Sequence, residues 1–395
     1  MTEELKQIIR TQAKQILPEI IILRRAIHQH PELSFQEVQT SRRIQEFLKS
    51  KQISFETGWA GHGLVVTIEG EQAGPVIMLR ADMDALPIQE MNDVEYRSVE
   101  QGIMHACGHD VHSASMMGVA AILNEHKSSI RGKVKLIFQP GEEKLPGGAS
   151  IMIREGLLEK HKPEWIAAQH VFPSLPAGHV GFRSGLYMAS ADELYITIHG
   201  KGGHAAMPHL CIDPVMIAAR VVTALQEIVS RTLDPIMPAV LSIGKIYSDG
   251  GATNVIPDRV FMEGTLRAMD ESWRKATHQR IKELVEKICA GSGAKGDVRI
   301  EQGYPCLVND EAVTQKFKER AMAFLGPEKV HDLPLRLTSE DFAFYSQAIP
   351  ATFYRLGTGF EGRDNPPVHT NRFDIDESAL ETGIGLMAYI VLQGP

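Results

Sequence analysis

The chain has 395 residues, 43% of them hydrophobic and 23% charged, which leaves room for roughly two or three domains and lies far from disordered, collagen-like or disulfide-scaffold compositions. Lys plus Arg number 41 against 49 Asp plus Glu, a formal net charge of −8, so no global positive field exists to hold a nucleic acid. The polar N-terminus lacks a secretory pattern, no uncharged apolar run approaches the ~20 residues that span a bilayer, and the cysteines (Cys107, Cys211, Cys289, Cys306) form no CxxC pair; a cytoplasmic location away from membranes is expected.

Apolar residues at helical spacing (Ile8, Ile9, Ile16, Ile20, Ile21) predict a helix from Glu3 to about His30, and Ser41 to Lys49 continues in the same style. Two branched runs bounded by Gly or Pro, 63–70 and 75–85, predict strands. A helix over Val111–Asn124 leads to a strand at 134–143 that closes on Glu142 and Glu143, and the strand-like EWIAAQHV then delivers His170. Alternating strands and helices predict an α/β domain with a mainly parallel sheet and helices on both faces, where chemistry gathers at the carboxyl ends of the strands. From about Ala191 the pattern changes to strands at 192–199, 238–247, 258–268 and 297–303 with helices at 213–230 and 271–289. That order is the ferredoxin-like β-α-β-β-α-β unit. Signals resume after Leu307 and end in an apolar helix, Ala379–Leu392, so the expectation is a discontinuous core domain, 1–187 and 306–395, interrupted by an inserted domain, 188–305.

The densest chemistry is HACGHDVH, which holds His105, Cys107, His109, Asp110 and His112 within eight residues. In an extended stretch Cys107 and His109 point the same way, whereas at a helix start His109 and His112 share a face, and spacing alone leaves both pairings open. Thiolate and imidazole suit zinc and similar borderline metals, with carboxylates completing the set. The bland alternative is a polar loop with a capping Asp110 and an inert cysteine. If the strand before Glu142 and Glu143 ends in a turn, one carboxylate can bind metal while its neighbour stays free as a base; a solvated acidic turn is the competing explanation. His170 and His369, the latter after Pro366-Pro367-Val368, would each be read alone as structural and gain weight only from this company.

Together LRADMDALP (79–87), MHACGHDVHSA (104–114), FQPGEE (138–143), GGHAAMPH (202–209), TNVIPD (253–258), SEDFAFY (339–345) and VHTNRF (368–373) resemble, in order and along nearly the whole chain, one metallopeptidase group. It is the amidohydrolase subfamily of the aminoacylase and glutamate-carboxypeptidase-like zinc metallopeptidases, which includes hippurate hydrolase, N-acyl-amino-acid deacylases and plant auxin-conjugate hydrolases. The resemblance implies two divalent metal ions held by Cys107, His109, Glu143, His170 and His369, with Glu142 as general base. Many relatives carry His-x-Asp where this chain has Arg80-Ala81-Asp82; here Asp82 is expected to orient a ligand or its water. Cys107 stands where relatives place a bridging carboxylate, which leaves zinc, manganese, cobalt and nickel open.

Gly200-x-Gly202-x-x-Ala205 formally fits a dinucleotide fingerprint, but Pro208 and the delayed helix exclude it. By resemblance the inserted domain is a lid and dimerisation domain whose His204 stabilises an oxyanion in the partner subunit's site of a homodimer, while Asn254 and Arg267 hold the substrate. The implied activity is hydrolysis of the amide bond of N-acetyl or N-aroyl amino acids. The competing expectations are a metallo-carboxypeptidase or dipeptidase, and a catalytically degenerate binding protein.

Overall fold

The computed structural model describes residues 2–394, which group into two compact units: 2–185 with Val308–Pro334 and 341–394, and Leu186–Leu307 with Leu335–Glu340. The chain opens with α1 (Thr2–Gln29) and α2 (Val38–Ser50), followed by β1 (Phe55–Trp59), β2 (Gly63–Glu69) and β3 (Gln72–Asp82). Then come α3 (His109–Glu125), β4 (Arg131–Gln139), α4 (Gly148–Arg154), α5 (Leu157–His161), β5 (Trp165–Pro176) and β6 (Val180–Phe182). The second unit brings β7 (Gly185–Met188), β8 (Asp192–His199), β9 (Gly203–His204), α6 (Pro214–Thr232), β10 (Ala239–Ser248), β11 (Val255–Ile256), β12 (Arg259–Ala268), α7 (Glu271–Gly291) and β13 (Lys295–Gln302). After β14 (Leu307–Asn309) the chain completes the first unit with α8 (Glu311–Leu325), β15 (Val330–Asp332), α9 (Ala343–Ser346), β16 (Ala351–Gly359) and α10 (Ala379–Leu392).

The first unit is built on an eight-stranded sheet in the order β1-β2-β4-β3-β5-β16-β6-β15. Its centre, β4-β3-β5-β16, is parallel, and β1 and β2 extend it antiparallel. Parallel strands covered on both sides read as largely apolar runs, as VIML in β3 and LIF in β4 do. Helix α3 packs against α1, α10, β3 and β5, and its residues from His109 to Leu123 are buried, which explains why its Ala- and Met-rich sequence is apolar on every side. The first turn of this enclosed helix carries His109, so that ring starts from a rigid base.

Two glycines shape the approach to the chemistry. Gly108 has φ +80°, and a Cβ there would lie 2.6 Å from Val171 Cγ2, so only glycine can separate Cys107 from His109 on this path. Gly141 has φ +65°, and a Cβ there would lie 2.3 Å from the Phe35 ring. Strand β4 therefore stops at Gln139 rather than running to 143: Pro140 has no N–H for the ladder and Gly141 turns left-handed, which leaves Glu142 and Glu143 on a turn.

The second unit is a four-stranded antiparallel sheet, β10-β12-β8-β13, carrying α6 and α7. Alternate residues of β8 (Leu194, Ile196, Ile198) and β12 (Val260, Met262, Leu266) meet Ile217, Val221, Leu225, Ile281 and Val285 of the helices, giving this unit its own core. Asp213 caps α6 by accepting from the Val215 and Met216 N–H groups, with Pro214 at the first helical position, and Asp270 caps α7 through Trp273 N–H. No helix among the described residues is long and apolar enough to cross a membrane.

Candidate metal centre

Five elements of the first unit bring their side chains to one place: the end of β3, the approach to α3, the turn after β4, the middle of β5, and the loop that precedes α10. Cys107 Sγ lies 3.5 Å from His170 Nε2 and 3.3 Å from His369 Nε2, and His369 Nε2 lies 3.1 Å from Glu143 Oε1. His109 Nε2 is 4.0 Å from Glu142 Oε2. Potential ligand atoms of three overlapping sets, Cys107/His109/His170, Cys107/Glu143/His369 and His109/Glu142/Glu143, lie within 4.8 Å of one another in each set. His369 holds a left-handed backbone, φ 64°, and its N–H donates 2.8 Å to the carbonyl of Ala106, so a strained loop is anchored beside Cys107.

Hydrogen bonds aim these groups. The Nδ1 of His109 pairs with Asp84 Oδ1 at 3.1 Å, and Asp84 Oδ2 in turn accepts from Ser34 Oγ at 2.6 Å and from the Glu143 N–H at 2.9 Å. His170 Nδ1 donates to the Val171 carbonyl at 2.8 Å, which presents its Nε2 lone pair toward Cys107. His112 is committed on both sides: its Nε2 accepts from Val171 N–H at 2.9 Å and its Nδ1 pairs with Asp82 Oδ1 at 2.5 Å. Asp82 also accepts from Arg80 at 2.6 Å and stands 3.7 Å from His109 Nε2, so the hydrogen bond that fixes the His109 ring comes from Asp84 instead. Arg80 continues to Gln139 and Asp341, and the Asp341 N–H donates 3.3 Å to Glu142 Oε1.

Sequence reasoning singled out neither Asp84, Ser34, Gln139 nor Asp341 for this work. Asp84 carried a signal, two residues beyond Asp82 in the same motif, whereas Asp341 meets Arg80 only through the tertiary fold.

The electrostatics call for a cation. Burial pushes the Cys107 thiol well above its ordinary range, and Glu143, Glu142 and Asp82 push it further. Burial would lower His109, but Asp82 and Asp84 outweigh it and raise the imidazole to about 10. His170 is driven well down by burial and by Arg355. His109 Nε2 is buried with no hydrogen-bond partner. An orphaned imidazole nitrogen, a buried thiol and clustered carboxylates are a donor set that fits divalent cations. Cation uptake by the metal-free protein at pH 7 is therefore expected to release a proton from each of Cys107 and His109, so affinity rises with pH above neutrality. Calorimetry of Zn²⁺ binding in buffers of different ionisation enthalpy reads this directly, and uptake without proton release would contradict it.

The remaining expected residues lie in the second unit. His204 on β9 pairs with Val255 of β11, and Ala205 N–H donates 2.9 Å to the Asn254 carbonyl, so His204 and Asn254 are neighbours on an exposed ribbon. His204 Nδ1 accepts from Ala206 N–H at 3.1 Å, which turns Nε2 outward. Arg267 on β12 is half-buried; its guanidinium donates to Thr265 Oγ1 and the Leu266 carbonyl and has no carboxylate partner among the described residues.

A metal-type donor cluster beside a glutamate, at the carboxyl end of a mainly parallel sheet, is equipped for metal-assisted hydrolysis. Residues 78–393 match the peptidase family M20/M25/M40, and the chain belongs to that family. It is 40% identical over 363 residues to the N-acetyl-L-cysteine deacetylase of Bacillus subtilis, covering 92% of this chain and 85% of that one. It is also 38% identical over 394 residues to thermostable carboxypeptidase 2 of Saccharolobus solfataricus, covering 98% of each. Among solved structures, a dinuclear metal-binding M20 peptidase of Bacillus subtilis superposes with a TM-score of 0.83 at 35% identity, covering 96% of this chain and 98% of the other.

Proposed function

We propose that the protein hydrolyses the amide bond of N-acyl amino acids, releasing a carboxylic acid and a free amino acid, with two divalent ions held by Cys107, His109, Glu143, His170 and His369. The observation that carries this reading is the convergence of those five donors, in overlapping sets from buried Cys107, His109 and His170 out to exposed His369, with Glu142 beside them; the deacetylase relative supports the substrate class. Thiolate and imidazole donors favour zinc, with manganese, cobalt and nickel as the other candidates. Bound ions supply Lewis acidity, which polarises a carbonyl oxygen and lowers the pKa of water toward ~7.

The chain's own residues do the rest. Glu142, fixed by the Asp341 N–H, takes a proton from the attacking water as its oxygen bonds to the carbonyl carbon. The same carboxyl then passes that proton to the departing nitrogen as the C–N bond breaks. Asp82 holds His112 and Arg80 in place behind the site. His204 offers an outward Nε2 to the developing oxyanion of a partner subunit, which makes the active form a homodimer assembled through the 188–305 domain, the proposed lid. Arg267, whose guanidinium makes no ion pair with a carboxylate among the described residues, binds the substrate carboxylate, and Asn254 beside His204 contributes a polar contact.

The carboxypeptidase relative supports a second reading, the same chemistry on a peptide bond. A panel of N-acetyl and N-benzoyl amino acids, dipeptides and N-blocked dipeptides, assayed with and without chelator, separates the two. Chelator-sensitive turnover of the N-acyl amino acids is expected. Turnover confined to peptides transfers the assignment to the second reading, and metal uptake without turnover of any substrate reduces the protein to a binding role. Full specific activity at dilutions where the protein sediments as a monomer would remove the role of His204 across subunits.

A further inference from the structure

A cavity of about 200 Å³ opens beside the candidate metal centre within the first unit and shares Glu143 with it. Leu33 from the segment between α1 and α2 and Ala85, Leu86 and Pro87 from the segment that leaves β3 form its apolar wall, and Ser34, Gln36 and exposed Lys144 line it beside Glu143. Of these residues only Glu143 and Ser34, which donates to Asp84, have a part in the chemistry above.

Resting on the proposed function, we infer that this cavity is the acyl-chain subsite, and that it takes one aromatic ring or an aliphatic chain of comparable bulk. An N-acyl amino acid has one charged half, bearing the α-carboxylate, and one uncharged half, the acyl group. Apolar walls ending at a carboxylate suit the uncharged half, because an anion placed there would lose hydration and face Glu143. Glu143, which meets His369 at 3.1 Å, also lines the cavity, so a carbonyl held beside Glu143 would send its acyl carbons into it. The volume sets the size: an apolar cavity of about 150 Å³ accommodates benzene, so this one holds a phenyl group with a little space to spare.

The walls are pinned before any ligand arrives. Leu33 and Ala85 form a parallel β-bridge, Ala85 N–H donates 2.8 Å to the Glu32 carbonyl, and Leu86 N–H donates 3.0 Å to the Met104 carbonyl. On the other side Phe35 is held left-handed at φ 67°, while Glu37 Oε1 accepts from the Phe35 and Gly141 N–H groups at 2.9 and 2.8 Å. The same Glu37 thus joins the cavity wall to the turn that carries Glu142 and Glu143. Preformed walls spare the ordering cost that a loose pocket would levy on binding.

The test is a matrix of kcat/KM values for N-acetyl, N-hexanoyl, N-dodecanoyl and N-benzoyl derivatives of one amino acid, repeated with a second amino acid. Wild type, Leu86→Trp and Leu33→Ala enzymes are compared. The wild type is expected to favour N-benzoyl and N-hexanoyl over N-acetyl by about 10-fold or more. Leu86→Trp, which fills the cavity, lowers the benzoyl-to-acetyl ratio about 10-fold or more, and Leu33→Ala, which enlarges it, moves the optimum toward the longer chain. A shift to longer chains cannot come from damaged folding, so the second variant stands even if the first folds poorly. Unchanged ratios in both variants, or ratios that follow the amino acid rather than the acyl group, overturn the subsite while leaving N-acyl hydrolysis intact. A wild-type enzyme that cleaves no N-acyl amino acid overturns the functional reading, and the subsite with it.

Discussion

Glu142→Gln is expected to lower kcat by roughly 10²- to 10⁴-fold, the contribution of a positioned proton-transfer group, while the metal content measured by elemental analysis stays at the wild-type level. The substitution keeps the shape of the side chain, and a Gln carbonyl can still accept from the Asp341 N–H that now reaches Glu142 Oε1 at 3.3 Å. Glu142 is buried, so its replacement by an isostere leaves no cavity. What disappears is the capacity to accept a proton from water and return it to the amine. Glu142→Asp retains that capacity but draws the carboxylate back by about one methylene, and misplacement on that scale costs on the order of 10²-fold. Activity in the order wild type, Asp, Gln, at constant metal content, identifies proton transfer. A Gln variant within tenfold of wild type, or one stripped of metal, would assign Glu142 to another task.

Local periodicity carried much of the fold. Strand β8 at 192–199 and helix α10 at 379–392 occupy the spans that their apolar patterns predict. The miss at β1 has a physical cause: five residues with Gly58 inside and a register irregularity between Thr57 and Trp59 offer no period to read. The end of β4 was misplaced because two acidic residues after an apolar run look like a strand terminus, whereas Pro140 and Gly141 had already broken the ladder. In the site, density of ligand types in HACGHDVH pointed to a segment that the fold brings beside Glu142, Glu143, His170 and His369, but spacing could not separate His109 from His112. That distinction depends on Val171 and Asp82, which occupy the His112 nitrogens from outside the motif, and on Asp84, which takes only one nitrogen of His109. His105, which opens the motif, is buried with neither ring nitrogen hydrogen-bonded among the described residues, and burial lowers it to about 3, so it stays neutral. Partners recruited across the fold leave no trace in a local pattern, and here they decide which histidine is available.

Arg24→Met is expected to destabilise the metal-free protein by about 3–5 kcal/mol, measured by urea unfolding in the presence of chelator. Arg24 projects from α1, wholly buried, and donates to Asp110 Oδ2 at 2.6 Å and to Glu377 at 3.3 Å while lying 4.7 Å from the Tyr96 ring centroid. Asp110 is in the first turn of α3, next to His109, where the helix terminus also favours a negative charge. His28 Nδ1 reaches the same Asp110 oxygen at 2.9 Å, but a buried histidine is a weaker counterion than a guanidinium, so removing Arg24 strands a buried carboxylate. Arg24→Met combined with Asp110→Leu removes both charges, and most of the loss is expected to return, because well-packed apolar side chains replace buried ion pairs at little cost. The pH dependence has a definite sign. Burial tends to raise Asp110, but Arg24 and His28 hold it far below the usual carboxylate range. The pair's contribution is therefore complete above the unfolded carboxylate value of ~3.9 and is lost as pH falls through the depressed folded value. Without Arg24 the carboxyl protonates more readily, so the gap between variant and wild type is widest near neutrality and narrows toward acid. A single variant less than 1 kcal/mol below wild type at pH 7 would show that His28 suffices for Asp110, and that α1 joins α3 by apolar packing alone.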